Sequence, residues 1–265
     1  MANNSYPKGM QKLLSATIDF AGDTIKVCLL PNTYTYSAAH EFVSHLGSRV
    51  GTDQVLTNKS VAGGVFDADD VDFGTLAPGS TLKAIAVYKD TGNPTTSPLL
   101  FYMDQLAGFP METNGGAVTV PWDDGAKKIA RITTPFYPKG AEKTLSGDIA
   151  WGTDSIKAAL VPSSYSYDAG HEFLSSVGTP LKVVTLGGRS VTNGVFDADD
   201  ADFGTMAGPG VAGSVVLFKD TSDASTSPLL LYISGVVGFP YTLNGGGLKV
   251  VWSDSASKVF SLVPA

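Results

Sequence analysis

The chain has 265 residues, of which 43% are hydrophobic and 16% are charged, a balance typical of a globular protein rather than a disordered one. Its net charge of −7 would repel phosphate groups, so we expect no nucleic-acid partner. We expect no membrane partner either, because no apolar run is long enough to span a bilayer and the first residues lack the layout of a signal peptide.

The sequence predicts two copies of one unit. The stretch "YPKGMQKLLSATIDF" begins at Tyr6, and the similar stretch "YPKGAEKTLSGDIAW" begins at Tyr137. Further matching pairs follow along the chain, and so long a period indicates tandem duplication of a whole domain. We therefore predict homologous domains at 6–134 and 137–265, packed separately and joined by a short stiff connection around Pro135.

Within each unit, the spacing of apolar residues predicts a series of short strands. In "TIKVCLL", Ile25, Val27 and Leu29 lie on one face of a strand. The same strand carries Cys28, the only cysteine of the chain, so no internal disulfide can form. The runs "TLKAIAVYKD" and "SVVLFKD" predict strands buried on both faces, and "SPLLFYMD" predicts the next strand. "NGG" at Asn114 predicts a tight turn, with "AVTVPWDD" and "KKIARI" as the arms of one hairpin.

One segment of each unit is a candidate for a short helix. "SAAHEFVSHLG" has a capping residue, Ser37, at its start and Gly47 at its end, and Asp168 and Gly178 hold these places in the second unit. Together the elements predict an all-β chain of two tandem homologous antiparallel β-sandwich domains, each with one short helix.

Each unit carries one acidic stretch, "GVFDADDVDFG" in the first and "GVFDADDADFG" in the second. Clustered carboxylates on a bent loop suit calcium. The candidate ligands are Asp67, Asp69, Asp70, Asp72, Asp197, Asp199, Asp200 and Asp202. The spacing is not that of an EF-hand, since the twelfth position counted from Asp67 is Pro78 instead of Glu. We favour turns in which the Asp side chains accept backbone N–H groups, and we predict no metal or other cofactor, with calcium as the alternative.

The His–Glu pairs present in both units are His40–Glu41 and His171–Glu172. A histidine could act as a general base, but adjacent residues on a helix do not face each other. We therefore predict no catalytic residues and no enzyme activity.

Alternate tyrosines form a second candidate site, because aromatic rings stack on the apolar faces of sugars. They are Tyr34, Tyr36, Tyr165 and Tyr167. We favour packing of these rings against a neighbouring strand over a sugar-binding platform.

Several motifs, in this order, resemble a small domain common among virion structural proteins of tailed bacteriophages. They are "YTYSAAHEF", "GVFDADDVDF", "YKDTG" with "TSPLL", and "GFP" with "NGG". The resemblance covers nearly all of each unit and brings no catalytic residues with it.

This resemblance implies a non-enzymatic phage virion structural protein. The first interpretation is a capsid decoration, or cement, protein that binds the outer shell. The alternative is a tail, neck or fibre component, including a module that binds carbohydrate on the host surface. The expected partners are the major capsid protein or other virion proteins, with self-association in the particle. The expected location is the virion, after synthesis in the host bacterial cytoplasm.

Overall fold

The computed structural model describes residues 4–133 and 135–263, which we call the first half and the second half. Strands contain 38% of the residues and helices 9%, so the predicted all-β class is confirmed. The predicted ends of the two domains, Thr134 and Ala265, lie outside the described residues.

Apart from β1, which has only the single bridge between Phe136 and Leu231 as its counterpart, the two halves carry the same elements in the same order. The first half contains helix α1 (Pro7–Leu14), a 3-10 turn (Val43–Leu46), and strands β1 (Asn4–Ser5), β2 (Ile25–Pro31), β3 (Val50–Val55), β4 (Ser60–Ala62), β5 (Val65–Asp67), β6 (Val71–Thr75), β7 (Thr81–Lys89), β8 (Leu99–Met103), β9 (Met111–Glu112), β10 (Ala117–Val120) and β11 (Ala130–Arg131). The second half contains helix α2 (Pro138–Leu145), a 3-10 turn (Leu174–Val177), and strands β12 (Ile156–Pro162), β13 (Lys182–Thr185), β14 (Ser190–Thr192), β15 (Val195–Asp197), β16 (Ala201–Thr205), β17 (Val211–Lys219), β18 (Leu229–Ile233), β19 (Tyr241–Thr242), β20 (Gly247–Val250) and β21 (Phe260–Ser261).

Each half is built on one antiparallel main sheet and two small sheets. In the first half the main sheet has the order β1-β8-β7-β2-β3, with β9 also paired to β7, and the small sheets are β10-β6 and β11-β5-β4. In the second half the main sheet has the order β13-β12-β17-β18, with β19 on β17, and the small sheets are β16-β20 and β14-β15-β21. That one half arose by duplication of the other stays a prediction.

Both faces of the first main sheet are buried. Ile25, Val27 and Leu29 of β2 share the face that packs on the small sheets, as the alternation predicts. Cys28 and Leu30 lie on the opposite face, in a second cluster rich in tyrosine. This layered packing positions two apolar cores in each half.

The predicted helix from Ser37 to Gly47 is wrong. Only Val43–Leu46 coils there, as a 3-10 turn, because Val43 N donates to Ser97 O at 2.9 Å and ties the segment to the neighbouring loop. The α-helix of the first half is α1, where Pro7 occupies the first turn and suits a helix start.

A glycine within helix α1 lowers the helix propensity of its sequence. Gly9 lies on the face that packs against β8, where an added Cβ would overlap the carbonyl oxygen of Leu99. At Gly140 of α2 an added Cβ would likewise overlap the carbonyl oxygen of Leu229 of β18. Glycine normally lowers helix propensity, so propensity does not predict a helix here. The close packing of the helix on the strand nevertheless requires glycine at this position.

The predicted hairpin after Asn114 is also wrong. Strand β10 pairs with β6 and strand β11 pairs with β5, so the two predicted arms lie in different small sheets. Trp122, directly between them, donates its backbone N–H to Asp70 at 2.8 Å and turns the chain away from a hairpin.

The two halves are interlocked through their helices. Phe20 N donates to Leu145 O at 3.0 Å, and Trp151 N donates to Leu14 O at 2.9 Å. Leu14 belongs to the core of the second half, whereas Leu145 belongs to the core of the first. Each half therefore completes the other's core, and the expected separate packing of two domains is not what the structure has.

Side chains repeat this reciprocal pattern. Glu142 of α2 accepts the N–H of Gly63 at 2.8 Å, and Gln11 of α1 accepts the N–H of Asn193 at 3.0 Å. Contacts in which residue i of one body meets residue j of the other, and the reverse, define an isologous interface. The contacts between the halves are thus reciprocal, as in an isologous interface.

Candidate functional site

The acidic stretches form turns that hold a tryptophan. Asp70 Oδ1 accepts the backbone N–H of Trp122 at 2.8 Å, and the carbonyl of Asp69 accepts the indole N–H at the same distance. The same two bonds hold Trp252 in the second half, at 3.1 and 2.9 Å. Each turn therefore anchors the chain segment that follows β10 or β20.

The remaining carboxylates of the first stretch serve separate partners. Asp72 accepts the N–H two residues ahead at 2.8 Å, Asp69 accepts Asn58 Nδ2 at 2.6 Å, and Asp67 lies 3.4 Å from Lys128 Nζ. The second stretch repeats the contacts of Asp67 and Asp72 at Asp197 and Asp202, and Asp200 in addition lies 2.8 Å from Lys249 Nζ. Across residues 4–133 and 135–263, no three His, Cys, Asp or Glu side chains group so that they could hold a metal ion.

A chain of hydrogen bonds joins two tyrosines to a histidine in each half. The hydroxyl of Tyr6 lies 2.8 Å from that of Tyr34, which lies 2.9 Å from His40 Nδ1. The second half has the same chain at Tyr137, Tyr165 and His171, with distances of 2.8 and 3.0 Å. The sequence pattern does not link these tyrosines to the histidines, because Tyr6 and Tyr137 come from the residue before each helix, far from the others in sequence.

Burial shifts the pKa values of the tyrosines and the histidine in the first hydrogen-bond chain toward their neutral forms. Burial, followed by the bond to Tyr34, raises the pKa of Tyr6 far above its usual range. Burial also raises the pKa of Tyr34. Burial, and then the neighbouring His45, lowers the pKa of His40. Burial thus favours the neutral forms of the Tyr6 and Tyr34 hydroxyls and of the His40 imidazole.

The tyrosine rings are used mainly for packing. Tyr34 is buried, and Tyr36 donates its hydroxyl to the carbonyl of Ser5 at 2.9 Å. In the second half, Tyr167 is 37% exposed and is the ring of the four most open to a ligand. The structure thus does not bring the four rings together as one open platform.

The glutamates of the His–Glu pairs turn away from their histidines. Glu41 lies 3.1 Å from Lys12 of helix α1, and Glu172 lies 3.9 Å from Lys143 of helix α2. These ion pairs tie the loop after β2 or β12 to the helix of the same half. The side chains do not form the acid–base unit that catalysis would require.

The single cysteine is deep in the protein. Cys28 has no exposed surface, and its Sγ lies 3.7 Å from the carbonyl of Ala86. Burial is the main cause that raises its pKa to about 12. Ala159, its counterpart in the second half, is equally buried, so the position needs a small apolar side chain rather than a reactive thiol.

Two exposed Ser/Thr-rich loops have the same internal hydrogen bonds. The hydroxyls of Thr91 and Thr96 lie 2.6 Å apart, and Ser97 donates to the carbonyl of Asn93 at 2.9 Å. The second half repeats both contacts: the hydroxyls of Thr221 and Thr226 lie 2.6 Å apart, and Ser227 donates to the carbonyl of Asp223 at 2.8 Å. All residues in 91–96 and 221–226 are exposed, so each half presents one preformed polar loop.

The second half has an apolar groove that no sequence motif predicted. Val237 is 99% exposed and Val251 is 66% exposed, and both line a groove of about 760 Å³. The signal was present in the comparison of the units, because Ala107 and Pro121 hold the corresponding places in the first half.

Comparisons with known proteins add no assignment. No protein-family model matches the chain, and no curated protein matches it. Within the described ranges, no helix is both long and apolar enough to cross a membrane.

Proposed function

We propose that the chain is a non-enzymatic structural protein of a tailed-bacteriophage virion and that it decorates the outer face of the capsid. The sequence motifs that resemble virion proteins recur in both halves. The observation that carries the proposal is the reciprocal interlock, in which Leu14 and Leu145 each complete the core of the opposite half.

An interlocked pair of β bodies suits a clamp. Because the halves share cores, their binding surfaces keep a constant separation and no linker entropy is lost when both bind. Once one half is bound, the other meets its site at a high effective concentration. A clamp between neighbouring capsid subunits would add binding free energy that opposes the outward pressure of packaged DNA.

The two polar loops are the contact surfaces that suit this role. Residues 91–96 and 221–226 are exposed on both halves, and their own hydroxyl and amide groups hold them in shape. A preformed loop loses little conformational entropy on binding. The expected partner is the major capsid protein, and the net charge of −7 suits the outside of a shell, where no DNA is bound.

Copy number in purified virions tests the proposal. Quantitative mass spectrometry against the major capsid protein should find hundreds of copies per particle. Particles that lack the chain should lose DNA at a lower temperature, and added purified chain should restore their stability. A dozen copies or fewer would indicate the tail, neck or fibre alternative, and absence from the virion would refute both.

A further inference from the structure

Strand β13 forms an open edge of the second main sheet. Within the part of the chain that the structure describes, it pairs with β12 on one side and with no strand on the other, although β16 packs nearby. Leu186 N donates to Ile156 O at 3.1 Å, which makes these two residues a hydrogen-bonded pair. Such pairs alternate with non-hydrogen-bonded pairs along an antiparallel ladder, so Val183 and Thr185 turn their backbone N–H and C=O groups to the open side. Both residues are exposed, Val183 by 39%.

The matching strand of the first half, β3, is protected against pairing. The register of β2 on β3 shifts at a bulge, and Gly51 within β3 has a φ of +71°. Asp53 holds the place of Val183, and its carboxylate binds Arg49 and the hydroxyl of Tyr88. Bulges and charged side chains prevent edge strands from pairing with other chains. Strand β13 pairs with β12 without a shift of register, so its edge is the more regular of the two.

An unpaired carboxylate lies at the end of β13. In the first half Asp69 accepts Thr57 Oγ1 and Asn58 Nδ2, at 3.0 and 2.6 Å, and glycines hold both of these places in the second half. A Cβ added to Gly188 would lie 2.3 Å from Asp199 Oδ1, so this carboxylate lies against the backbone that follows β13. Without the two donors, the exposed carboxylate of Asp199 accepts no hydrogen bond from the residues that the structure describes.

An unpaired lysine lies at the other end of the same strand. Lys182 is exposed, is the only charged residue of β13, and forms no ion pair with any group in 4–133 or 135–263. Asp199 has no cation of its own either, since the neighbouring Lys249 is paired with Asp200 at 2.8 Å. The length of β13 keeps Lys182 and Asp199 apart within one chain. The edge therefore carries opposite charges at its two ends, which is the pattern of a surface complementary to itself.

We propose that two copies of the chain pair edge to edge through β13, antiparallel, with Val183 of each copy opposite Thr185 of the other. Each of these pairs would exchange both of its N–H···O bonds. Lys182 would then lie opposite Leu186 of the second copy, next to the glycines against which Asp199 of that copy lies. A two-fold axis would form both Lys–Asp contacts at once. This surface is separate from the two polar loops, and the pairing would occur whether or not the chain belongs to a virion.

The test uses the full chain and follows its sedimentation and its amide hydrogen exchange as the concentration is raised. Four residues a side make a small interface, so we expect a dimer at about 0.1 mM and above, and less of it as salt is added. The amides of Val183 and Thr185 should exchange more slowly as the dimer forms. The amides of Val184 and Leu186 face β12 and should exchange at the same rate at every concentration, which makes them an internal control.

Charge reversal tests the register. Lys182→Glu and Asp199→Lys should each weaken the dimer by about tenfold, because each places like charges together at two symmetric contacts. The double variant should restore the dimer. Val183→Asp, which copies Asp53 of the first half, should also weaken it. Thr52→Glu, at the place in β3 that matches Lys182, is the control and should change nothing, and melting temperatures will verify that each variant folds.

Three results would overturn the proposal. They are a chain that stays monomeric at about 1 mM, a dimer in which the exchange of the Val183 and Thr185 amides is unchanged, and a double charge reversal that does not restore the dimer. Protection of these two amides only after another virion protein is added would assign the edge to that protein, and this too would refute a second copy as the occupant.

Discussion

The two halves share their elements and their mode of pairing, but they differ at the surface. The first half has a His40–His45 stack, with ring centroids 5.6 Å apart, where the second half has His171 and Ser176. The second half has an open apolar groove lined by Val237 and Val251, and Ala107 and Pro121 hold the corresponding places in the first half. Elements that join the halves and the two polar loops are thus alike, whereas these two surface regions differ between the halves.

A β-bulge is the clearest backbone difference. The register of β2 on β3 shifts between Val27 and Leu29, while β12 pairs with β13 without a shift. Between the 3-10 turn and β4 the first half has one residue more than the second half has in the matching segment, and Asp53 from this stretch accepts the hydroxyl of Tyr88 at 2.6 Å. One added residue can therefore build a local polar contact without disturbing the shared core.

The largest expected effect comes from breaking the interlock. Leu14→Ala and Leu145→Ala should each lower the free energy of unfolding of the whole chain by about 2–5 kcal/mol, because each leaves a cavity in the opposite half's core. Urea unfolding followed by tryptophan fluorescence measures this, since Trp122 reports on the first half and Trp151 and Trp252 on the second.

Val183→Ala, at an exposed position, is the control and should change little. We expect one cooperative transition in every variant. Two separate transitions, with one half unfolding alone, would contradict the shared cores.

A second comparison concerns the helix glycines. Alanine normally stabilises a helix over glycine by about 1 kcal/mol. Gly9→Ala and Gly140→Ala should instead destabilise the chain by about 1–3 kcal/mol, because the new Cβ would overlap the backbone of β8 or β18. Lys8→Ala on the same helix is the control for propensity. Stabilisation by Gly9→Ala, measured by denaturant unfolding, would show that the helix does not approach the strand so closely.

The presence of His45 in the first half, where the second half has Ser176, predicts a small dependence of stability on pH. Burial and His45 lower the pKa of His40 in the folded chain, so the unfolded chain binds this proton more readily. Its contribution to stability is therefore full above the ordinary value of about 6.5 and is lost as the pH falls below it.

His45→Ser, which copies the second half, removes one of the two causes. NMR titration should show the pKa of His40 rising toward its usual range, and the loss of melting temperature between pH 7 and pH 5 should shrink by about 1 °C or less. Ser176→Ala is the matched control in the second half. An unchanged pKa of His40 would contradict the influence of the stacked ring.

The smallest expected effect concerns calcium. EDTA should leave the melting temperature unchanged, because the carboxylates of the acidic stretches bind different groups of the chain. Asp70→Ala should cost about 1 kcal/mol through loss of its bond to Trp122 N, with or without calcium. A large drop with EDTA that calcium restores, and that Asp67→Ala with Asp197→Ala abolishes, would establish a metal site after all.

Local patterns predict the strands well and the long-range pairings poorly. Alternation identifies β2 and its buried face, since the face of each residue follows from the backbone alone. The partners of β10 and β11 depend on how Trp122 bonds to Asp70, which lies 52 residues earlier in the sequence. No local sequence feature of Leu14 predicts that its side chain packs in the core of the second half.

The candidate site follows the same division. The carboxylates, histidines and tyrosines were identifiable by residue type, but their joining into Tyr–Tyr–His chains depends on contacts that only the fold creates. The only sequence signal of the groove is that Val237 and Val251 stand where the first unit has Ala107 and Pro121, and their exposure depends on the fold.

The exchange of Leu14 and Leu145 has a consequence for biosynthesis. A ribosome delivers the first half before α2, so its core stays incomplete until residues 138–145 have emerged. For the second half, by contrast, Leu14, which completes its core, has already been synthesised when the strands of that half leave the ribosome exit tunnel. During translation the first half should therefore stay partly unfolded until α2 has been synthesised, and the second half should then fold against it. A nascent chain on a ribosome stalled just before α2 should still be cut by proteases.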